Sequence, residues 1–300
     1  MGSDLRVRAV YAGVMLLHDA ELRQLGWSLE PGVVLPLALS GLLYVRGAMQ
    51  LRRRGRGLAL RRWEMMSFAV GWLVVALSLL SPLHEASEQL FSAHMVQHEL
   101  LMVLAAPLLV LGRPMVVMLW ALPPRGRQTA AHLTRQPIAR VIWGAVTRPF
   151  DAWLIHGLAI WLWHLPSLFD ATLRSEFIHA LQHASFLGSA LIFWWSIIHV
   201  QRRSARGMSI VYLFTTAVHT GVLGALMTFS RAPWYPAYAT GAPTWGLTPI
   251  ADQQLGGLIM WIPASIAYLV AALAIMRRWI HDSEWSVAER ERAFSTVALH

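Results

Sequence analysis

The 300-residue sequence contains no cysteine, no lysine and few charged residues of either sign. Without cysteine the chain cannot form disulfide bonds, thiolate metal sites or a redox-active dithiol. Histidine, methionine and carboxylate side chains remain as the ligands available for a transition metal. All 25 basic residues are arginine, and we interpret the missing lysine as a compositional bias without functional meaning.

Charge is scarce because the chain is apolar. Charged residues make up 14% of it and hydrophobic residues 56%, with a mean hydropathy of +0.47, whereas a soluble domain carries about 25% charged residues. Several uncharged stretches approach or exceed the roughly 20 residues that cross a bilayer as a helix. The sequence therefore predicts an all-α polytopic membrane protein, in which the net charge of +9 does not indicate nucleic-acid binding.

Seven apolar stretches predict seven transmembrane helices in one domain, over residues 31–278. Their approximate bounds are 32–51, 65–83, 94–112, 151–168, 177–201, 207–230 and 253–276. A polar segment without a signal-peptide pattern, 1–30, precedes them, and a polar tail, 279–300, follows them. The connection 114–148 carries a further apolar patch, MVVMLWALPP, which is too short to cross and is expected at the interface or in a re-entrant loop.

The arginines predict the orientation of the helices, because cytoplasmic loops carry an excess of basic residues. With the N-terminus outside the cytoplasm, 20 arginines lie in regions on the inner side and five on the outer side: Arg6, Arg8, Arg23, Arg174 and Arg231. The opposite orientation inverts that ratio. We therefore predict an extracytoplasmic N-terminal segment and a cytoplasmic tail.

Two pairs of histidines are predicted at the outer ends of different helices. His94 and His98 begin the third span, and His179 and His183 begin the fifth. A spacing of four residues places each pair on one helical face, about 6 Å apart along the axis. Ionisable groups at such positions are costly in a membrane and indicate function. The two pairs therefore predict one shared site.

Further polar side chains are expected at or below the same level. His164 closes the fourth span, His156 lies about 12 Å deeper, and His219 lies near the middle of the sixth span. Imidazoles bind copper, zinc and iron, and thioether partners favour Cu(I). The predicted metal ligands are His94, His98, His156, His164, His179 and His183, and the side chains expected to orient them are Glu99, Asp252, Gln253 and His219. Candidate thioethers are Met95, Met102, Met227 and Met260, although such methionines are more often packing residues.

Several catalytic patterns are missing from the sequence. The HELLM segment that begins at His98 lacks the second histidine of a zinc-protease HExxH motif. There is also no glycine-rich phosphate loop and no G-x-S-x-G segment. We therefore expect no catalytic residues and no enzymatic activity.

Four segments, in order, resemble the seven-helix cytochrome c oxidase assembly factors of the CtaG type, which are associated with caa-type oxidases. The segments are HMVQHELLMVLAAPLLVLGRP at 94–114, WLWHLP at 161–166, HALQHASFLGSALIFWW at 179–195 and DQQLGGLIMWIP at 252–263. The resemblance implies a bacterial cytoplasmic-membrane protein that matures a haem–copper oxidase, by supplying or inserting copper on the outer side. The residues that match the family's motifs are His94, His98, His164, His179, His183 and the polar run 252–254. The implied partners are oxidase subunits or a periplasmic copper carrier, within a lipid bilayer.

The metal assignment rests on ligand chemistry and not on the resemblance. We expect a copper ion, as Cu(I), with haem or zinc as the alternatives. Three other functions remain open at this point. They are a b-type haem protein, a transporter of copper or protons in which His156 and His219 continue the path across the membrane, and a metal-free assembly scaffold.

Overall fold

The computed structural model describes residues 26–53, 60–199 and 203–297, without the side chains of 203–206 and 282–297. Most of the predicted N-terminal segment (1–25), the centre of the first basic loop (54–59) and the last residues (298–300) lie outside the described residues. The described ranges consist of helices and turns without a strand. This confirms the predicted all-α fold.

The helices follow one another through short connections. Several helices have proline at their first position. They are α1 Pro31–Arg53, α2 Arg62–Leu80, α3 Pro82–Gln89, α4 Phe91–Glu99, α5 Ala106–Leu111, α6 Pro114–Ala121, α7 Pro124–Arg135, α8 Pro137–Val146, α9 Pro149–Trp163, α10 Pro166–Arg174, α11 Glu176–Ile198, α12 Arg203–Thr228 and α13 Pro249–Val297. A π-helical segment, Leu100–Ala105, joins α4 to α5, and two short 3-10 helices, Pro236–Ala239 and Ala242–Trp245, lie between α12 and α13.

Six segments of the described chain are long and apolar enough to cross a membrane. They are Pro31–Arg53, Arg62–Leu80, Phe91–Leu111, Glu176–Ile198, Gly207–Thr228 and Pro249–His281. The number becomes seven if α9 and α10, which are bent by 73°, count as one span. Helix α9 ends short of the predicted bound at residue 168, because Leu165 precedes Pro166 and takes an extended backbone. The chain is thus a multi-pass membrane protein.

The third span is interrupted in its middle by the π-helical segment. The amide of Ala106 donates to the carbonyl of Leu101, five residues earlier. Pro107 follows directly, and a proline ring cannot donate a hydrogen bond and crowds the carbonyl four residues before it. A wider turn relieves that crowding. Such π-helical turns often lie near functional sites, and this one begins directly after Glu99.

Helix α13 packs closely on both α4 and α12. A Cβ atom added to Gly256 would collide with the ring of Phe91 on α4. One added to Gly224 on α12 would lie 2.7 Å from the carbonyl oxygen of Gly257. Small residues permit this approach between membrane helices. As a result α4 is held against α13 along the turn that contains Asp252.

The connection 114–148 forms α6, α7 and α8. Val117 on α6 is fully buried in a small core with Tyr44, Leu51 and Phe68, so part of the apolar patch packs against α1 and α2. Helix α8 instead exposes apolar side chains such as Ile138, at 74%. Its expected place at the membrane interface stays a prediction.

Helix α13 continues through the segment that we predicted as a polar tail. The structure describes it as helical as far as Val297. The sequence after Pro263 offers neither proline nor glycine up to that residue, and these two residues are the strongest helix breakers. The polar composition of residues 279–300 therefore did not predict where α13 ends.

Candidate metal centre

Five histidines from three parts of the chain meet at one end of the helix bundle. His94 and His98 lie on α4, His179 and His183 lie on α11, and His164 follows the last residue of α9. Neighbouring ring centroids are 4.3 to 5.9 Å apart. We call these five residues the histidine cluster. All five were predicted as ligands from the sequence, and the structure brings all of them together.

Three members of the cluster are close enough to share one ion. A ring nitrogen from each of His94, His179 and His183 lies within 4.8 Å of the other two. A metal bound to imidazole at about 2.0–2.1 Å separates its ligand nitrogens by about 3.4 Å, so small ring rotations would complete the site. His98 adjoins this group, with its ring centroid 5.5 Å from that of His183.

The cluster is buried, and half of its ten ring nitrogens have no hydrogen-bond partner among the described residues. At most 6% of each of the five residues is exposed. Atoms without a hydrogen-bond partner among the described residues are Nε2 of His164, His179 and His183 and both ring nitrogens of His98. Each such buried polar atom costs about 1–3 kcal/mol, and native structures contain few of them. A metal ion bound by these nitrogens would remove the cost, so the donor set fits a metal.

His94 differs from the other four, because both of its nitrogens have polar neighbours. Nδ1 lies 3.2 Å from the hydroxyl oxygen of Tyr238, and Nε2 lies 3.1 Å from Oε1 of Gln182. The Tyr238 hydroxyl also donates to the carbonyl of Ser87 at 3.0 Å. Burial, more than the nearby carboxylate of Asp252, raises the pKa of Tyr238 well above its usual range, so this hydroxyl keeps its hydrogen.

These contacts select one tautomer of His94. When the Tyr238 hydroxyl donates to Ser87, its oxygen accepts the Nδ1–H of His94, and the lone pair is left on Nε2. Turning the Gln182 amide end for end brings its NH₂ group to that lone pair, and this group otherwise has no partner among the described residues. A metal ion can take the place of the amide. With the Gln182 amide turned in this way, Tyr238 keeps His94 in the tautomer whose Nε2 could bind a metal.

Gln182 and Tyr238 were not among the predicted site residues. Gln182 follows His179 by three residues, so helical spacing alone would have placed it on the same face. Tyr238 lies in the 3-10 helix Pro236–Ala239, 144 residues from His94 along the chain. Local sequence patterns do not mark a contact of that kind.

Asp252 lies beside the cluster, but its carboxylate accepts hydrogen bonds from backbone amides and not from an imidazole. Its carboxylate oxygens accept from the amides of Phe91 at 2.7 Å and Ser92 at 3.0 Å, which begin α4. Carboxylates at a helix N-terminus stabilise the helix by hydrogen bonding and by charge. Asp252 was predicted to orient an imidazole, and in the structure it instead orients the helix that carries His94 and His98.

The other predicted supporting residues, Gln253, Glu99 and His219, also face elsewhere. Gln253 accepts from the amide of Trp234 and donates to the carbonyl of Met227 at 3.3 Å, which ties a loop to α12. Oε2 of Glu99 is buried and has no hydrogen-bond partner among the described residues. Glu99 lies one residue beyond His98, hence about 100° around the helix from it. Gln253 therefore supports the bundle at a point away from the imidazoles.

His156 and His219 form a separate feature, which we call the mid-helix pair. His156 lies two helical turns from His164, about 12 Å along α9. Its Nδ1 is 3.0 Å from the hydroxyl oxygen of Ser189, and its ring stacks on Phe193 at 5.3 Å. His219 accepts from the indole of Trp161 at 3.4 Å. The structure thus does not bring His156, a predicted ligand, into the cluster.

The candidate thioethers lie in the main hydrophobic core of the described chain. Met95, Met102, Met227 and Met260 are all at most 3% exposed and pack among Phe91, Phe186 and other apolar side chains. Their surroundings are those of packing residues. The donor set of the cluster is therefore imidazole.

A sixth imidazole, His84 on α3, adjoins the cluster. Its ring stacks on that of His179 at 5.5 Å. Its Nδ1 lies 3.3 Å from Nε2 of Gln97, and its Nε2 lies 3.8 Å from a carboxylate oxygen of Glu30. His84 thus connects the cluster to charged groups at the end of the bundle.

The sequence matches a family model described as cytochrome c oxidase caa3 assembly factor over residues 42–282. The chain belongs to this family. The family model is described as that of assembly factors for the caa3-type cytochrome c oxidase. The matched residues contain the whole histidine cluster and both short 3-10 helices.

Similar curated proteins are mycobacterial. One is an uncharacterized protein of Mycobacterium leprae, 26% identical over 91% of this chain and 42% of its own length. Another, from Mycobacterium bovis, is 28% identical over 87% of this chain and 39% of its own length. The chain thus spans about two fifths of the length of these relatives. No solved structure matches the chain.

Proposed function

We propose that the protein binds copper, as Cu(I), in the histidine cluster and delivers it to the oxidase during assembly. The observation that carries the proposal is the convergence of five buried imidazoles, four of which have a ring nitrogen without a partner among the described residues. Native interiors leave few such nitrogens without partners; Nε2 of His156 and of His219 also lacks one among the described residues, but only the cluster brings several such nitrogens together. Membership in an oxidase assembly family supplies the recipient, an enzyme whose active site needs copper.

The charge of the donor set favours a monovalent ion. Imidazoles are neutral ligands, and the nearest carboxylate of α13, on Asp252, is bonded to the amides of Phe91 and Ser92. The cost of moving an ion into a low-dielectric site grows with the square of its charge, so a divalent ion costs about four times as much. Cu(I) accepts imidazole ligands at low coordination number.

The number of imidazoles favours transfer over permanent storage. His94, His179 and His183 form one group that can hold an ion, while His98 and His164 adjoin it with unpaired nitrogens. Partly overlapping sets of ligands let an ion exchange one imidazole for another without losing all its bonds. We propose that release proceeds in this way to an oxidase subunit or a periplasmic copper carrier, on the extracytoplasmic side that the arginine distribution predicts.

The packing of the rings argues against a haem site. A haem with two histidine ligands needs a flat space between the imidazoles that is wide enough for the porphyrin. In the cluster, His94 and His98 lie edge to face at 4.3 Å and His179 and His183 lie at 4.4 Å. These rings already contact one another. A small ion fits such a group and a macrocycle does not.

Copper titration of purified protein tests the proposal. Wild type, the variant His179→Ala/His183→Ala and the matched control His132→Ala/His199→Ala would be titrated with Cu(I) against a chromophoric competitor. We expect wild type and control to bind alike. The cluster variant should lose more than about 100-fold in affinity, the upper limit for residues that only support a ligand.

Circular dichroism and size exclusion would establish that all three proteins are folded. Equal copper affinity in the three proteins would refute the proposed site. A Soret band in protein purified from cells would favour haem instead.

A further inference from the structure

A cavity of about 520 Å³ opens beside the histidine cluster. It lies between α1, α2, the third span and α11, and two members of the cluster, His179 and His183, form part of its wall. Both residues are 6% exposed, and in both the Nε2 atom has no partner among the described residues. The cavity therefore reaches two imidazoles of the cluster.

The polar residues of the cavity are concentrated at its cluster end. Glu30 precedes α1, Glu88 lies near the end of α3, and Glu176 begins α11. All three carboxylates are exposed. We call them the acidic mouth. Clustered carboxylates with apolar walls behind them focus a negative potential and concentrate cations locally.

His84 lies between the acidic mouth and the cluster. It also lines the cavity, with Nε2 3.8 Å from Glu30 on one side and its ring stacked on His179 at 5.5 Å on the other. An ion at the mouth thus meets the imidazole of His84, which is 12% exposed, before it meets that of His179, a residue that is 6% exposed. The ligands become less exposed step by step from Glu30 through His84 to His179.

Beyond His183 the cavity wall becomes almost entirely apolar. Leu187 and Leu191 continue along α11, opposite Val75 and Leu109. A metal ion that left the imidazoles for this part would lose its ligands in an apolar environment, which is strongly unfavourable. The cavity can therefore guide a cation to the cluster but not past it.

We infer that this cavity is the entrance to the histidine cluster, where Glu30, Glu88 and Glu176 attract a metal cation and His84 passes it to His179. The inference deepens the proposed function and rests on it for the identity of the ion. The geometry requires water to reach the cavity from the cluster end. It also requires the acidic mouth to favour cations over anions.

Because the chain has no cysteine, a single introduced cysteine can report on this entrance without metal. Ala184 lines the cavity next to His183. The variant Ala184→Cys would be treated with a cationic and an anionic water-soluble methanethiosulfonate. We expect the cationic reagent to react faster by about tenfold or more, the lower end of electrostatic focusing effects. Adding Glu30→Gln/Glu88→Gln/Glu176→Gln should abolish this preference.

A lipid-facing position on the same helix supplies the control. Leu181 is 48% exposed but does not line the cavity, so Leu181→Cys should react slowly with both reagents. An Ala184→Cys protein that reacts as slowly, or a cation preference that survives the glutamine substitutions, would overturn the entrance. If wild-type protein binds no copper, only the proposed function is overturned. The labelling result would still stand, because it needs no copper.

The loading rate gives a second measurement on the same entrance. The triple glutamine variant should bind as much copper as wild type at equilibrium, since it leaves all five histidines of the cluster in place. His84→Ala is judged by its loading rate alone, because the ring of His84 stacks on that of His179. Both should load more slowly, and the triple variant should lose most of the dependence of its rate on salt. Wild-type loading rates in both variants would contradict the inference while leaving the copper site intact.

Discussion

The histidine cluster and the mid-helix pair place the same side chain in two different surroundings of one bundle. In the cluster the nearest rings of each imidazole include other imidazoles, at 4.3 to 5.9 Å. In the mid-helix pair the neighbouring rings include phenyl and indole groups, with Phe193 at 5.3 Å from His156 and Trp153 at 6.1 Å from His219. A buried histidine thus becomes a candidate ligand only where several elements bring further ligands to it.

The two places also differ in how they are supported. Tyr238 and Gln182 orient His94, and Asp252 fixes the first turn of its helix. The mid-helix pair has single contacts of other kinds, a hydroxyl at Ser189 and an indole at Trp161. Groups that orient a ligand are typical of metal sites. The supporting residues therefore offer a way to test which place binds metal.

The largest effect among the supporting residues is expected for Tyr238→Phe. The ring and its packing remain, but the group that fixes the tautomer of His94 is lost. We expect copper affinity to fall by about 10- to 100-fold, measured by competition with a Cu(I) chromophore. Tyr44→Phe, which removes a buried hydroxyl bonded to the carbonyl of Gly112 at 2.8 Å in another core, is the matched control. Equal affinities in both variants would remove Tyr238 from the site.

A smaller effect on copper, but a clear effect on stability, is expected for Asp252→Ala. The change leaves the amides of Phe91 and Ser92 without their acceptors, which costs about 1–3 kcal/mol. Thermal unfolding in detergent should show the loss, and copper affinity should fall through the misplacement of α4. Gln254→Ala on the same turn, which removes a longer bond of 3.3 Å to the carbonyl of Ser230, should change neither strongly. Similar unfolding curves for both variants would show that Asp252 is not the anchor of α4.

The smallest effect on copper is expected for His156→Ala/His219→Ala. Removing two partly or fully buried imidazoles should lower thermal stability, as large-to-small changes do. Copper affinity should stay within about twofold of wild type, because His156 lies about 12 Å from His164. A loss comparable to that of the cluster variant would break the distinction between the two places. It would also restore His156 as a ligand or as part of a path across the membrane.

The helical fold was accessible from the sequence because a bilayer imposes simple rules. Uninterrupted apolar stretches of the right length predicted the spans, and the structure confirms the all-α fold with six or seven of them. The ends of two helices could not be predicted from hydropathy, because they depend on proline and glycine. Pro166 ended the fourth span early, and the absence of glycine and proline after Pro263 let α13 continue to Val297.

The candidate ligands of the cluster could also be predicted from the sequence, because residues four positions apart lie on one face of a helix. This spacing identified His94, His98, His179 and His183 before any packing was known. The roles of the supporting residues were not accessible. Asp252 bonds to α4 across 161 residues of chain and Tyr238 contacts His94 across 144, and such pairings depend on helix packing that a single sequence does not encode locally.

X-ray absorption at the copper edge tests the central claim most directly, on protein purified without chelators and loaded with copper. We predict a Cu(I) edge and a coordination shell of imidazole nitrogens at about 2 Å, which disappears in His179→Ala/His183→Ala and persists in His156→Ala/His219→Ala. The account would be contradicted by a copper shell that contains sulfur, or by the same spectrum in wild type and in the cluster variant.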